Sequence, residues 1–474
     1  MGISAVPGSG KTRTLAELAA RLIAERIQGQ QEVLVVTLVN SAVDNLKQQI
    51  NDATKARGLA LPGFGYRVRT LHGLAHDIVR ERPGLVGLSE DFGIMDEREA
   101  LSIRDDTVDT WLRANPDAAD PILSLDLGDQ QAEWVKRSRW PLQARKIAGA
   151  FIKRAKDLRL APQVLSQRLA ELEAYLAGDR SRVLVSADGL ALARMAVDVY
   201  ADYQRSLAYR GVVDFDDLIR LAHEALAGDP DYVARLRERW PYILEDEAQD
   251  SSELQERILR ILAGESGNWV RVGDPNQAIY DTFTNADPRF LRQFLQEPGV
   301  QAENLDQSGR SQRAIIDLAN HLIIWTGQAH PTPAARGAFL PQLIRPTGPG
   351  DPQPNPPGTI HDIHLVDTEF TPDAELQAVA ASLEQWLPAY PKETVAVLAP
   401  RNQRGFELID LLKQRNIPYV ELLRSTSATR QTAGILGNLL RCLADPASAR
   451  KLSVAFRVWR RADRDDPEAG EQIK

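Results

Sequence analysis

The sequence predicts an α/β fold, with parallel sheets organised around a P-loop and an all-helical insertion between them. Three observations predict it. An apolar lead-in (Ile3, Ala5, Val6) runs into Pro7-Gly8-Ser9-Gly10-Lys11-Thr12 and then into a helix-period segment with Leu15, Leu18, Ala19 and Leu22 on one face. Further on, short apolar runs alternate with helical patterns, as parallel βα units require. From about Pro83 to Tyr209 the β-branched density falls and helical periodicity takes over.

The first element carries the most chemistry. In a strand–glycine loop–helix unit, successive backbone N–H groups turn inward around phosphate oxygens, and the helix start adds partial positive charge. Ala5, Val6, Pro7, Gly8, Ser9, Gly10, Lys11 and Thr12 form the predicted cradle. Lys11 would reach the β- and γ-phosphates and Thr12 would bind Mg²⁺. The strict motif begins with Gly, where this chain has Ala5.

Val33 to Thr37 reads as a fully buried strand, and Asn40-Ser41 opens a helix through Leu46 and Ile50. Tyr66 to Thr70 alternates like a strand and leads into Leu71-His72-Gly73 and a helix to about Arg82. Helices are expected at Glu97 to Ala114, Leu142 to Leu158, Pro162 to Leu176 and Leu190 to Leu207. The second of these is basic, with Arg145, Lys146, Lys153, Arg154, Lys156 and Arg159. Such a run is either a solvated face or a surface for nucleic-acid phosphates. Asp214-Phe215-Asp216-Asp217 then starts a helix with acids in its first turn, favourable against the macrodipole.

Strand texture returns at Tyr242-Ile243-Leu244, followed by Glu245-Asp246-Glu247-Ala248-Gln249-Asp250 and a helix from Ser252 to Ala263. A strand at Val270 to Val272 ends in Gly273-Asp274-Pro275-Asn276-Gln277. A second unit is expected from Asn304, with Ser308-Gly309-Arg310-Ser311 ahead of a helix through Leu322 and a Pro-rich loop over 331–357. Strands at Thr359 to Val366, Val395 to Ala399 and Tyr419 to Leu422 alternate with helices at Asp373 to Trp386, Gly405 to Arg415 and Thr429 to Leu443.

Length and composition bound the class. At 474 residues, with 43% apolar and 26% charged residues, the chain suits roughly three globular domains of about 150 residues each. No run reaches the ~18 apolar residues of a membrane helix, and no signal peptide is expected ahead of the glycine loop. One cysteine, Cys442, excludes an internal disulfide and a zinc cluster and fits a reducing cytoplasm. A formal net charge of −8 means that nucleic acid would have to be held by local basic surfaces.

Triphosphate hydrolysis needs a cradle, a metal ligand, a base, a γ-phosphate sensor and positive charge for the transition state. Asp246 at a strand end suits the metal and Glu247 the attacking water. Gln277, a neutral amide in a polar turn, suits the sensor. Arg310 at a helix start offers the planar fork of an arginine finger.

These motifs, in order, resemble superfamily 1 DNA helicases of the UvrD/PcrA/Rep type. The resemblance rests on Ala5 to Thr12, Thr37-Leu-Val-Asn-Ser-Ala, Thr70-Leu-His-Gly, Asp214-Phe-Asp-Asp-Leu, Asp246-Glu-Ala-Gln-Asp, Val272-Gly-Asp-Pro-Asn-Gln-Ala-Ile-Tyr and Gln307-Ser-Gly-Arg-Ser. It implies RecA-like parallel sheets and an ATP- and Mg²⁺-dependent motor that moves 3′ to 5′ on single-stranded DNA and separates duplex, in repair or recombination with proteins of those pathways. It implies strand-groove roles for Thr37, Asn40, Thr70 and His72, and base-stacking platforms at Tyr280 and Phe283. The implied domains are a first motor domain in two parts (1–84 and 210–296), the helical insertion (85–209), a partial second motor domain (297–450) and a charged tail (451–474).

Three departures from the family pattern stand out. The adenine-reading Gln segment that the family has upstream of the P-loop is absent, Gly309 replaces a base-stacking Tyr, and the chain stops where a second helical insertion is expected. The expectation is therefore a helicase incomplete at both ends. Two alternatives are a remnant that binds ATP and DNA without unwinding, and a P-loop kinase. The kinase reading leaves Asp246 to Asp250 without a purpose.

Overall fold

The computed structural model describes residues 1–59, 63–120, 129–178, 187–265, 267–278, 287–421, 427–446 and 448–459. These fall into two compact units, residues 1–363 and 364–474. In the first unit a glycine loop joins β1 (Gly2–Ala5) to α1 (Lys11–Glu25). Then come β2 (Val33–Thr37), α2 (Asn40–Ala56), β3 (Tyr66–Thr70) and α3 (Leu71–Glu81).

The insertion holds β4 (Gly93–Ile94), α4 (Glu97–Ala114), α5 (Asp129–Ser138), α6 (Trp140–Asp157), α7 (Pro162–Gly178) and α8 (Ala187–Tyr209). The chain returns through β5 (Val212–Val213), α9 (Phe215–Gly228) and α10 (Pro230–Arg239) to β6 (Tyr242–Glu245) and α11 (Glu253–Ala263). The remaining elements are β7 (Trp269–Gly273), α12 (Pro288–Phe294), β8 (Ala302–Leu305), β9 (Gln307–Ser308), α13 (Arg313–Ala329) and β10 (Arg345–Pro346).

Six strands form one sheet in the order β3-β2-β6-β7-β1-β8, every pairing parallel. Both faces are covered, which is why β2 is apolar from Val33 to Val36. Val33 and Val35 pack into the layer with Leu15 of α1 and Leu46 and Ile50 of α2. Leu34 and Val36 pack into the opposite layer with Leu74 and Ile78 of α3 and Leu259 of α11. The fold is thus the expected α/β type, a parallel central sheet flanked by helices. The insertion has its own core, where α4, α6 and α8 bury Val108, Trp140, Ala148, Met195 and Tyr200.

β8 departs from the sequence reading. Lying beyond residue 296, it was expected with the second unit, yet it pairs with β1 from Ala302 opposite Gly2 to Leu305 opposite Ala5. Without β8, the free edge of β1 would expose unpaired backbone groups beside the glycine loop.

The second unit contains α14 (Pro372–Ala389), α15 (Asn402–Gln414), α16 (Ser427–Ala444) and α17 (Ala449–Trp459). Its core includes Ala380, Leu408, Leu412 and Ile417. The strands expected at Thr359 to Val366, Val395 to Ala399 and Tyr419 to Leu422 are not formed among the described residues, and residues 360–362 make a 3₁₀ turn instead. An apolar run becomes a strand only when a neighbour completes its ladder. Here Leu365, Leu398 and Val420 are more than four-fifths exposed. No helix among the described residues is long and apolar enough to cross a membrane.

Candidate active site

Three adjacent strands, β6, β7 and β1, deliver the site at their carboxyl ends, where parallel sheets open a crevice for ligands. From β1 comes the glycine loop. Ala5 and Val6 are buried, so their side chains belong to the core and only the backbone beyond them turns outward. This accounts for the alanine at the first motif position. Gly8 has φ +75°, and a Cβ there would stand 2.5 Å from Arg310 Cβ and 2.7 Å from Ser308 Oγ. The loop therefore needs glycine for its dihedral and for its close approach to the turn after β9. α1 starts at Lys11 with no side chain capping it, so its first N–H groups are left for a ligand.

β6 delivers Asp246 and Glu247. Lys11 Nζ donates to Glu247 Oε2 at 2.8 Å across 236 residues of sequence. Glu247 sits at φ 54°, ψ 43°, left-handed backbone that costs a non-glycine residue about 1–2 kcal/mol. Burial pushes its carboxyl pKa up. The Lys11 ammonium, a hydrogen bond from Gln249 and the Arg310 charge outweigh that and hold it below the usual value. Asp246 goes the other way: burial and the neighbouring Glu247 charge push it up to about 6.

Asp246 Oδ1 is buried without a hydrogen-bond partner. The described residues contain no cluster of three or more metal-ligating side chains. One orphaned carboxylate oxygen within the field of Lys11, the residue before Thr12, fits Mg²⁺, which takes one or two protein ligands and fills its shell with water and substrate phosphates.

β7 delivers Gln277 through a relay that sequence reasoning missed. Gln249 donates from Nε2 to Glu247 Oε2 at 2.9 Å, and its Oε1 accepts from the Asp274 backbone N–H at 3.0 Å. Asp274 Oδ2 in turn accepts from Gln277 Nε2 at 2.8 Å. Side chains from two strand ends are thus joined, Glu247 to Gln249 to Asp274 to Gln277. Gln249 and Asp274 were visible only as members of motifs; their partners are set by strand order. Lys11, Thr12, Asp246, Glu247, Gln277 and Arg310 all lie at this end of the sheet. Arg310 is exposed and has no ion pair among the described residues.

The neighbouring strand ends carry the residues expected to line a strand groove. Thr37 and Thr70 are paired in register at the ends of β2 and β3. Thr37 is only 1% exposed and its hydroxyl has no partner, while Thr70 Oγ1 accepts from Gly73 N–H at 3.0 Å and caps α3. Asn40 is exposed at the start of α2. Burial first, then the Lys153 charge, lowers the His72 pKa and favours neutral imidazole. Phe215 and His72 meet in a T-shaped arrangement, with centroids 6.0 Å apart and planes at 89°. Phe215 is 42% exposed, and sequence reasoning gave it no role. An aromatic inside an acid-rich helix start was the available signal. Tyr280 and Phe283 lie outside the described residues.

The basic run on α6 divides. Arg145 is taken by Asp109, with both carboxylate oxygens 2.7 Å from Nη2. Lys156 is buried and bonds Asp214 Oδ2 at 2.5 Å and Asp217 Oδ2 at 2.9 Å. Those two cations therefore hold the fold and are unavailable to phosphates. The surface reading of the run is left with Lys146, Lys153, Arg154 and Arg159.

A glycine loop against an acidic strand end and an amide turn puts the chain among P-loop nucleotide-binding proteins. Comparison with known proteins narrows the class. The family model for the UvrD/REP helicase N-terminal domain matches residues 1–298, and the chain belongs to that family. It is 28% identical to DNA helicase II of Haemophilus influenzae over 316 residues, 67% of this chain and 37% of that protein. It is 27% identical to the ATP-dependent DNA helicase srs2 of Schizosaccharomyces pombe, covering 68% of this chain and 32% of that protein. It is also 27% identical to the ATP-dependent DNA helicase UvrD2 of Mycobacterium bovis over 419 residues, 87% of this chain and 51% of that protein. The chain thus spans less than two-fifths of the Haemophilus relative.

Proposed function

We propose that this chain hydrolyses ATP and couples hydrolysis to movement on single-stranded DNA, as the motor part of a helicase. The observation that carries this reading is the Lys11–Glu247 contact at 2.8 Å, continued to Gln277 through Gln249 and Asp274. In the reading, residues 1–84 and 210–296 form the first motor domain, residues 85–209 its helical insertion, and 297–450 part of the second. Translocation from 3′ to 5′, duplex unwinding, cytoplasmic location and service in repair or recombination belong to the same reading.

The chain's own residues account for the hydrolytic step. Before nucleotide enters, Lys11 neutralises Glu247. Arriving phosphates compete for the ammonium, and Lys11 turns from carboxylate to phosphate oxygen. Glu247, still buried but now without its main counter-charge, becomes the stronger base. Water attacks the γ-phosphorus, its proton passes to Glu247, and the bond to the bridging oxygen breaks to release ADP and phosphate. Mg²⁺ held by Thr12 and Asp246 would supply Lewis-acid charge stabilisation on the phosphate oxygens. Arg310 adds positive charge from the turn touching Gly8. Gln277 senses the γ-phosphate by its amide and reports to Glu247 through the relay.

Replacing Arg310 by Ala should lower kcat by roughly 10³-fold, the scale of a lost arginine finger. Single-turnover hydrolysis with pre-bound ATP checks this, and an unchanged rate would remove Arg310 from the mechanism.

The strand groove is read at the β2 and β3 ends. The exposed Phe215 face beside neutral His72 suits an unpaired base, and stacking tolerates every base. Phe215→Ala should weaken single-stranded DNA binding by about 1–3 kcal/mol with little change in ATP affinity. Fluorescence anisotropy with a labelled oligonucleotide measures it, and equal affinity for both proteins would exclude the platform.

A further inference from the structure

We propose that Asn355 is a positioning residue for Arg310, and that the proline-rich segment it anchors is a strap holding the arginine turn against the phosphate loop. This inference rests on the reading of Arg310 as a γ-phosphate contact. Asn355 Nδ2 donates to the Ser308 carbonyl at 2.5 Å and to the Ser311 carbonyl at 2.9 Å. These carbonyls bracket Gly309-Arg310. Its Oδ1 accepts from Thr347 N–H at 2.9 Å and from Thr347 Oγ1 at 3.0 Å. Two donor hydrogens and two acceptor directions are all used, so the amide has one orientation.

The turn is held from both sides. On one side the Gly8 backbone lies so close that a Cβ there would meet Arg310 Cβ and Ser308 Oγ. On the other the strap covers Gly309, where a Cβ would stand 2.2 Å from the Gln353 carbonyl oxygen. Strap and turn are further joined by β9 and β10, Gln307 opposite Arg345 and Ser308 opposite Pro346. Pro349, Pro352, Pro354 and Pro356 fix φ along the strap and reduce the freedom it loses on folding. The backbone carrying Arg310 is therefore set by an amide 45 residues downstream. A displacement of ~1 Å in such a group is enough to cost ~10²-fold in rate. The absence of a side chain at 309, a departure at the level of sequence, is what lets the strap close.

The test uses the 474-residue chain with fluorescent ADP and a fluorescent non-hydrolysable ATP analogue. The readout is the ratio of the two affinities, together with the thermal midpoint. Arg310→Ala should lower the preference for the triphosphate by roughly tenfold, as loss of one charge-assisted hydrogen bond does. Asn355→Ala should shift the ratio the same way, about threefold to tenfold, leaving ADP affinity within about twofold. The double variant should be no worse than Arg310→Ala alone.

Asn355→Asp keeps the oxygen facing Thr347 and loses both donations, so it should reproduce the alanine ratio even if alanine destabilises the strap. A general loss of stability would lower both affinities together. Two results would overturn the proposal while leaving Arg310 in place: an unchanged ratio in both Asn355 variants, or a full additive loss in the double variant. An unchanged ratio in Arg310→Ala would instead sink the γ-phosphate contact, and the strap's role with it.

Discussion

Glu247→Gln should bind ATP and hydrolyse it roughly 10²–10⁴-fold more slowly, the range of a lost general base. Gln matches Glu in shape and its amide oxygen still accepts from Lys11, so the phosphate loop keeps its geometry while the proton acceptor is gone. The left-handed backbone at Glu247 supports that assignment, since strain of this kind persists where surroundings over-determine a conformation. Rapid-quench hydrolysis alongside equilibrium nucleotide binding separates the two effects. Turnover within a few-fold of the parent chain would assign the proton elsewhere.

Lys156→Met should destabilise the protein by about 3–5 kcal/mol, the scale for removing one partner of a buried ion pair. Lys156 lies where α6 of the insertion meets α9 of the sheet, between Asp214 and Asp217, and Tyr203 donates to the same Asp214 oxygen at 2.7 Å. Burial lowers the Lys156 pKa, but the charges of Asp217 and Asp214 outweigh it and the net shift is upward. That stabilisation is complete at neutral pH and is lost only as pH rises through the folded-state value.

Asp217 is shifted down: burial raises it, and Lys156 and Arg220 more than reverse that. Its stabilisation is present above the ordinary carboxyl value and is lost as pH falls through the depressed one. In the methionine variant Asp216 and Asp217 keep their burial and lose the Lys156 charge that lowers both, so the pKa of each should rise. Asp216, pushed up to about 6 by burial and the Asp214 charge, gives both chains some stability as pH falls from about 7 to 5. The variant should gain more, since the Lys156 charge no longer holds that value down. Denaturant melts at both pH values read this directly, and parallel pH profiles would dissociate the buried lysine from the coupling.

Much of this was legible in the sequence, for physical reasons. β2 and α4 are found within the predicted bounds because a doubly buried strand and a solvent-edged helix impose their periods on residue choice. The residues proposed for catalysis could be picked out because phosphate chemistry restricts both type and spacing. Other features depend on pairing that no local pattern encodes. β8 reads as a weak polar segment and became a strand because β1 needed a neighbour. Gln249 and Asp274 meet because β6 and β7 are adjacent. Lys156 and Arg145 look like surface charge in a basic run until α9 and α4 bring carboxylates to them. In residues 364–474 apolar runs implied strands, yet strand formation needs a ladder partner as well as a pattern.

In the proposed motor, strand binding at the carboxyl ends of β2 and β3 and hydrolysis at those of β6, β7 and β1 belong to one coupled device. Steady-state ATP hydrolysis by the 474-residue chain, with and without saturating single-stranded DNA, tests it most directly, with Lys11→Ala as the baseline. The account predicts that DNA raises turnover severalfold and that Lys11→Ala abolishes both basal and stimulated rates. Turnover that depends on Lys11 but is the same with and without DNA would leave a nucleotide hydrolase and contradict the motor.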